Sequence, residues 1–138
     1  MKTGLVFDQD LREFGICLFE WRILSALWDG ENLSLNDIAE VIVADLSTTS
    51  RQVKKLVRAG LVARARSDED RRALSLVLTA EGRELTKRTI PIARTHERIA
   101  TQGLTPADLA ALRRCLIRIY ENLSPFQCSG AKRPAGHK

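Results

Sequence analysis

The chain has 138 residues, 44% hydrophobic, 28% charged and only 5% aromatic, which fits one aliphatic core and excludes both a disordered chain and two independent folding units. A formal charge of +5 favours polyanionic partners without choosing between nucleic acid, a membrane surface and mere solubility. No apolar run approaches the roughly 20 residues of a membrane span, no secretory signal opens the chain, and three cysteines without CxxC or Cys/His spacing argue against a metal site or a closed disulfide framework, so a soluble protein of the reducing cytoplasm is expected.

Residues 5–14 read as a short amphipathic helix stopped by Gly15. Over residues 18–28, Trp21, Leu24 and Trp28, joined by Ile23 and Leu27, recur at helical spacing as a core helix, and Asp29-Gly30 stops it. Ser34 with Asp37 three positions on resembles a capping box and predicts a helix to about Val43, with Ile38 and Ala39 inward. A turn over residues 45–47 follows. Ser47 is predicted to cap the next helix, which buries Thr49, Val53, Leu56 and Val57, displays Thr48, Arg51, Gln52, Lys55 and Arg58, and ends at Gly60.

Residues 61–66 suit a strand, 67–71 a polar turn, and Leu74, Leu76 and Leu78 alternate as the inward face of a returning strand. Thr79 is predicted to cap a long helix through about Ala100, kinked at Pro91. Thr105-Pro106-Ala107-Asp108 joins a cap, a first-turn proline and an acid three residues on, a strong helix start. In that last helix Leu109, Leu112, Leu116, Ile119 and Leu123 follow a 3,4,3,4 spacing, either a seam for another helix or an intrachain core stripe. Residues 124–138, rich in Pro, Gly, Lys and Arg, predict a disordered basic tail.

Charge is unevenly placed. Before Ser47 the basic residues are only Lys2, Arg12 and Arg22, whereas from Ser47 to Arg72 the chain carries Arg51, Lys54, Lys55, Arg58, Arg64, Arg66, Arg71 and Arg72. A local cationic footprint is what phosphate neutralisation requires. Two short helices and a basic hairpin make a winged helix-turn-helix, mainly α with a small β-hairpin wing and flanking helices. Its second helix fits the major groove. Arg51, Gln52 and Lys55 have the reach for base edges or phosphates, and Ser47, Thr48 and Ser50 can donate to phosphates near the helix start. A Lys/Arg-bearing helix alone reads as a solvated face; the hairpin directly after it argues for DNA.

Ser47-Thr48-Thr49-Ser50-Arg51-Gln52-Val53 through Leu56, Gly60-Leu61-Val62, and Asp70-Arg71-Arg72 through Leu78-Thr79, a D-x-R-x5-L-T pattern, resemble the recognition helix and wing of the multiple-antibiotic-resistance regulator (MarR) family. The resemblance runs from about residue 15 to 123, and Glu20-Trp21-Arg22 sits where the family has a similar helix opening. It implies that Arg72, beside Arg71, is the wing-tip arginine of the minor groove and that Asp70 holds the wing in shape by pairing with arginine. It also implies a homodimer on a palindromic double-stranded operator, in agreement with the leucine seam. The organisation that follows is one domain over residues 1–123, with a DNA-binding lobe at about 18–79, dimerisation segments at 1–16 and 80–123, and the tail at 124–138. Two departures stand out: residues 5–14 are short for the family's first helix, and Val43-Ala44 replace a turn that often contains glycine.

Many members of that family release DNA when a small phenolic or aromatic acid binds between the dimerisation helices and the DNA-binding lobe. The resemblance places Phe14, Phe19, Trp21 and Arg22 near that cleft, with Arg94 or His96 from the long helix, and an arginine there can clamp a carboxylate. Some relatives sense oxidants through a first-helix thiol, but Cys17 falls after that helix, so an inert thiol is the plainer reading of Cys17 and Cys128 and a core role that of Cys115. With two histidines, one of them in the tail, no set of nucleophile, base and oxyanion donors can be assembled, and neither cofactor nor metal is expected. The competing class is a winged-helix module that binds protein and not DNA; Arg51, Lys55 and Arg72 speak against it.

Overall fold

Six helices and one antiparallel hairpin make up the residues described by the computed structural model, 3–66 and 74–127, so the chain is mainly α with a hairpin wing, as expected. They follow in the order α1 (Thr3–Arg12), α2 (Leu18–Asp29), α3 (Leu35–Val41), α4 (Leu46–Arg58), β1 (Val62–Arg66), β2 (Leu74–Leu78), α5 (Ala80–Ala100) and α6 (Pro106–Gln127). By its contacts the chain divides into two compact units, Met1–Ala100 and Thr101–Lys138.

In the first unit, α1 ends in a turn closed by Gly15 at φ +74°, where the Gly15 N–H donates to the Arg12 carbonyl and the Ile16 N–H to the Leu11 carbonyl. The core gathers around α2: Ile23, Leu24 and Leu27 are buried with Leu11, Ile38, Val53, Leu56, Val62 and Leu76. Trp21 and Trp28, expected in that core, are only half-buried. Ser34 caps α3 reciprocally with Asp37, as predicted.

The cap of α4 differs from the prediction. Asp45 holds that place, not Ser47, accepting from the Thr48 N–H at 2.8 Å, while the Ser47 hydroxyl donates to the same carboxylate. The turn between α3 and α4 closes two residues earlier because Val43 adopts φ +52°, left-handed backbone unusual for a β-branched residue, with its side chain exposed. That conformation costs about 1–2 kcal/mol. A Val43→Asn variant, whose side chain tolerates the left-handed region, is expected to gain about 1 kcal/mol in denaturant unfolding; an unchanged midpoint would contradict the strain.

The wing pairs Val62 with Leu78 and Arg66 with Leu74. Leu76 and Leu78 point inward as predicted, but Leu74 is exposed and Ser75 is buried, its hydroxyl bonded to the Ala65 carbonyl. The inward alternation fails at Leu74 because the strand there has run past the edge of the core. Leu33 adds one bridge to Leu76. Residues 67–73, which include the predicted turn at 67–71, lie outside the described residues. Thr79 caps α5 as expected, and Pro91 sits within a helix that continues to Ala100.

The second unit holds α6, opened by the reciprocal Thr105–Asp108 cap. The helix reaches Gln127, so residues 124–127, assigned from sequence to the tail, are helical; Phe126 continues the helical spacing of Leu123. Leu112, Leu116, Ile119 and Leu123 are each 50–56% exposed. Cys115, read as core, is exposed. Residues 128–138, with Cys128, lie outside the described residues.

Candidate nucleic-acid interface and ligand cleft

The surface of α4 follows from its cap and its buried stripe. Thr49, Val53 and Leu56 face the core, which turns Ser47, Arg51, Lys54 and Arg58 outward at helical spacing. The Arg51 guanidinium donates to the Thr48 hydroxyl at 3.2 Å. Ser50 is half-buried beside Val53 and Arg64. On β1, Arg64 and Arg66 share the face of Val62 but lie farther along the strand, where they are exposed, so the hairpin adds two exposed guanidinium groups.

Asp45 titrates with the helix it caps. The Thr48 N–H, then the Thr48 and Ser47 hydroxyls, lower its pKa from the ordinary 3.8 to about 2. Since the folded value is the depressed one, the contribution of the cap is complete above about pH 4 and is lost as pH falls through about 2. The melting temperature of the wild type is therefore expected to fall more steeply from pH 4 to pH 2 than that of Asp45→Asn, which caps without titrating. Parallel slopes would remove Asp45 from this role.

One predicted DNA contact, Lys55, holds an ion pair within the fold. The Lys55 ammonium lies 3.0 Å from the carboxylate of Glu20, a buried residue that also accepts the Cys17 N–H at 2.9 Å. Burial pushes the Glu20 carboxyl up, but the Cys17 N–H and Lys55 outweigh it and leave it below its ordinary value; Glu20 in turn raises Lys55. This pair ties α4 to the start of α2. Gln52 is half-buried, and its Oε1 is buried without a partner. Arg71, Arg72 and Asp70 lie outside the described residues.

A cleft of about 640 Å³ opens between α1, α2 and α5. Phe7, Trp21 and Trp28 form an aromatic wall, with Phe7 edge-on to Trp21 at 5.1 Å, and Ile90, Ala93, Arg94 and His96 line the side from α5. Trp21 is fixed by its indole N–H on the Thr89 hydroxyl at 3.2 Å, and His96 meets Asp10 at 2.7 Å, joining α5 to α1. Of the residues assigned to the cleft from sequence, Trp21, Arg94 and His96 line it, and Phe14, Phe19 and Arg22 do not. Phe14 lies under the Arg88 guanidinium, Phe19 packs on the core, and Arg22 donates to the Ile42 carbonyl at the end of α3.

Residues 18–74 match the MarR family model. The chain is 29% identical over 113 residues to the HTH-type transcriptional repressor IacR of Pseudomonas putida, covering 82% of this chain and 68% of that protein. It superposes on a MarR/EmrR family transcriptional regulator from Acinetobacter sp. ADP1 with a TM-score of 0.80 at 27% identity, over 90% of this chain and 85% of that one. The chain carries a MarR-family domain over residues 18–74. Another likeness is to Bordetella bronchiseptica BpsR, studied for regulation of its DNA binding by 6-hydroxynicotinic acid: TM-score 0.74, 25% identity, 86% and 85% covered. This MarR-domain chain is thus a transcription regulator with a DNA-binding winged helix, and not an enzyme. No helix among the described residues is long and apolar enough to cross a membrane.

Within that MarR frame, the structure brings Ser47, Thr48, Ser50 and Arg51 together at the start of α4 and draws Lys55 and Gln52 toward the body of the protein. The sequence reading left Lys54, Arg58, Arg64 and Arg66 out of the site; the period-two alternation of Arg64 and Arg66 on β1 was the signal available for the last two. Phe7 and Trp28 were missed as cleft residues because the cleft forms only where α1 and α5 meet α2.

Proposed function

We propose that this MarR-domain protein is a cytoplasmic, homodimeric repressor that binds a palindromic operator and releases it when a small aromatic ligand occupies the α1–α2–α5 cleft. The outward stripe of Ser47, Arg51, Lys54 and Arg58, with Arg64 and Arg66 on β1, carries the reading. Arg51, Lys54 and Arg58 share one exposed face of a helix of a size that fits the major groove, and the strand that follows exposes two more arginines, which supports phosphate neutralisation. In this reading Arg51 meets base edges, Thr48 and Ser50 approach phosphates, Arg71 and Arg72 serve the minor groove, and Asp70 shapes the wing. Residues 18–79 form the DNA-binding lobe, and 1–16 and 80–123 pair two chains so that two α4 helices lie about 34 Å apart.

The cleft suits a flat ring laid against the wall of Phe7, Trp21 and Trp28, with Arg94 to meet a carboxylate. Control of BpsR by 6-hydroxynicotinic acid supports that class of ligand. Both tryptophans of the chain line the cleft, so titration with a hydroxylated aromatic acid is expected to change their fluorescence saturably and to weaken operator binding in parallel. The deciding experiment is titration against DNA from its own promoter at two salt concentrations. A steep negative salt dependence is expected, and Arg51→Ala or Arg72→Ala should each cost about 1–3 kcal/mol. Absence of any promoter preference would leave the protein-interaction module as the better reading.

A further inference from the structure

The entry to α4 combines features that core packing does not explain. Val41, Val43 and Leu46 are 61%, 62% and 48% exposed, three large aliphatic side chains facing water within six residues. Val43 occupies left-handed backbone, unfavourable for a β-branched residue, while its exposed side chain gives little packing in return. Leu46 is the first residue of α4 after the Asp45 cap, at the end of the helix that also carries Ser47, Thr48 and Arg51. A recognition helix points its N-terminal residues at base edges, and the apolar group on offer in the major groove is the thymine C5-methyl.

From this we infer that Leu46, flanked by Val43, is a specificity-determining residue that packs on thymine methyl groups in each operator half-site. The inference rests on the proposed DNA-binding reading and adds a chemical rule to it. The polar stripe on α4 supplies charge and hydrogen bonds, and this apolar edge next to it distinguishes thymine from cytosine by the methyl. Asp45, the acid nearest this edge, already accepts hydrogen bonds from Ser47 and Thr48, so its charge is engaged in the cap.

The test uses the full chain and an operator enriched from random duplexes. Each thymine of a half-site is replaced in turn by deoxyuridine, which pairs identically but lacks the methyl. At one or two positions per half-site the wild type is expected to lose about fourfold in affinity per methyl removed, the worth of about one buried CH2 group. Leu46→Ala should bind the unmodified and the deoxyuridine operators equally. Leu46→Gln, which keeps the side-chain length, should also lose the methyl dependence. If deoxyuridine is harmless at every position, or its penalty persists in both variants, the assignment of Leu46 fails while the DNA-binding reading stands. If no duplex sequence is enriched, the underlying reading fails and this one with it.

Discussion

A Gly82→Ala variant is expected to lose about 2–3 kcal/mol of stability or more, although alanine is the better helix former by about 1 kcal/mol. The cause is a single close approach: a Cβ on Gly82 would stand 1.9 Å from the Leu61 carbonyl oxygen and 2.8 Å from its carbon. Both are backbone atoms, which cannot swing aside as the end of a flexible side chain can. Several bonds meet at the same place. The Thr79 N–H donates to the Leu61 carbonyl, the Thr79 hydroxyl donates to the Gly60 carbonyl, and the Gly82 N–H donates to the Thr79 oxygen. The end of α4, the start of the wing and the first turn of α5 are thus knotted around Gly82. A clash there must shift the recognition helix against the hairpin, so operator affinity should fall together with the melting temperature. A variant that melts at or above the wild-type temperature would show that α5 does not lie on Leu61.

That knot also marks what a sequence reading reaches. The caps at Ser34 and Thr105 were legible because both partners of each box lie three residues apart and the chemistry is local. Gly60 was legible as a helix stop for the same reason. Its neighbour Gly82 was not, because its requirement comes from Leu61 on another element. The choice between Asp45 and Ser47 as the cap of α4 turned on where the preceding turn closes, and that depends on Val43 taking a conformation its own side chain disfavours. The pairing of Lys55 with Glu20 shows the same limit at the candidate site. An exposed lysine on a recognition helix reads as a phosphate contact until the fold sets a buried carboxylate against it.

The second large effect concerns α6. Substitution of Leu116 by Glu is expected to convert the proposed dimer to monomer in sedimentation and to lower operator affinity by more than a hundredfold, with little change in the helix content of the chain. Leu112, Leu116, Ile119 and Leu123 stand on one face of α6, each about half exposed, so burial against a second copy recovers about 1 kcal/mol for each residue on each chain. The sum is comparable to the cost of bringing two chains together. Two carboxylates per dimer would remove two of those contributions and add several kcal/mol of desolvation. Loss of the pair matters for DNA because one half-site bound through a single α4 lacks the effective concentration that a linked second half-site supplies. Leu116→Ala, a milder change, should raise the dimer dissociation constant without abolishing binding. If the Glu variant stays dimeric, the seam of α6 is not what joins the two chains. If it becomes monomeric yet keeps its operator affinity, reading of the palindrome by two paired helices is wrong.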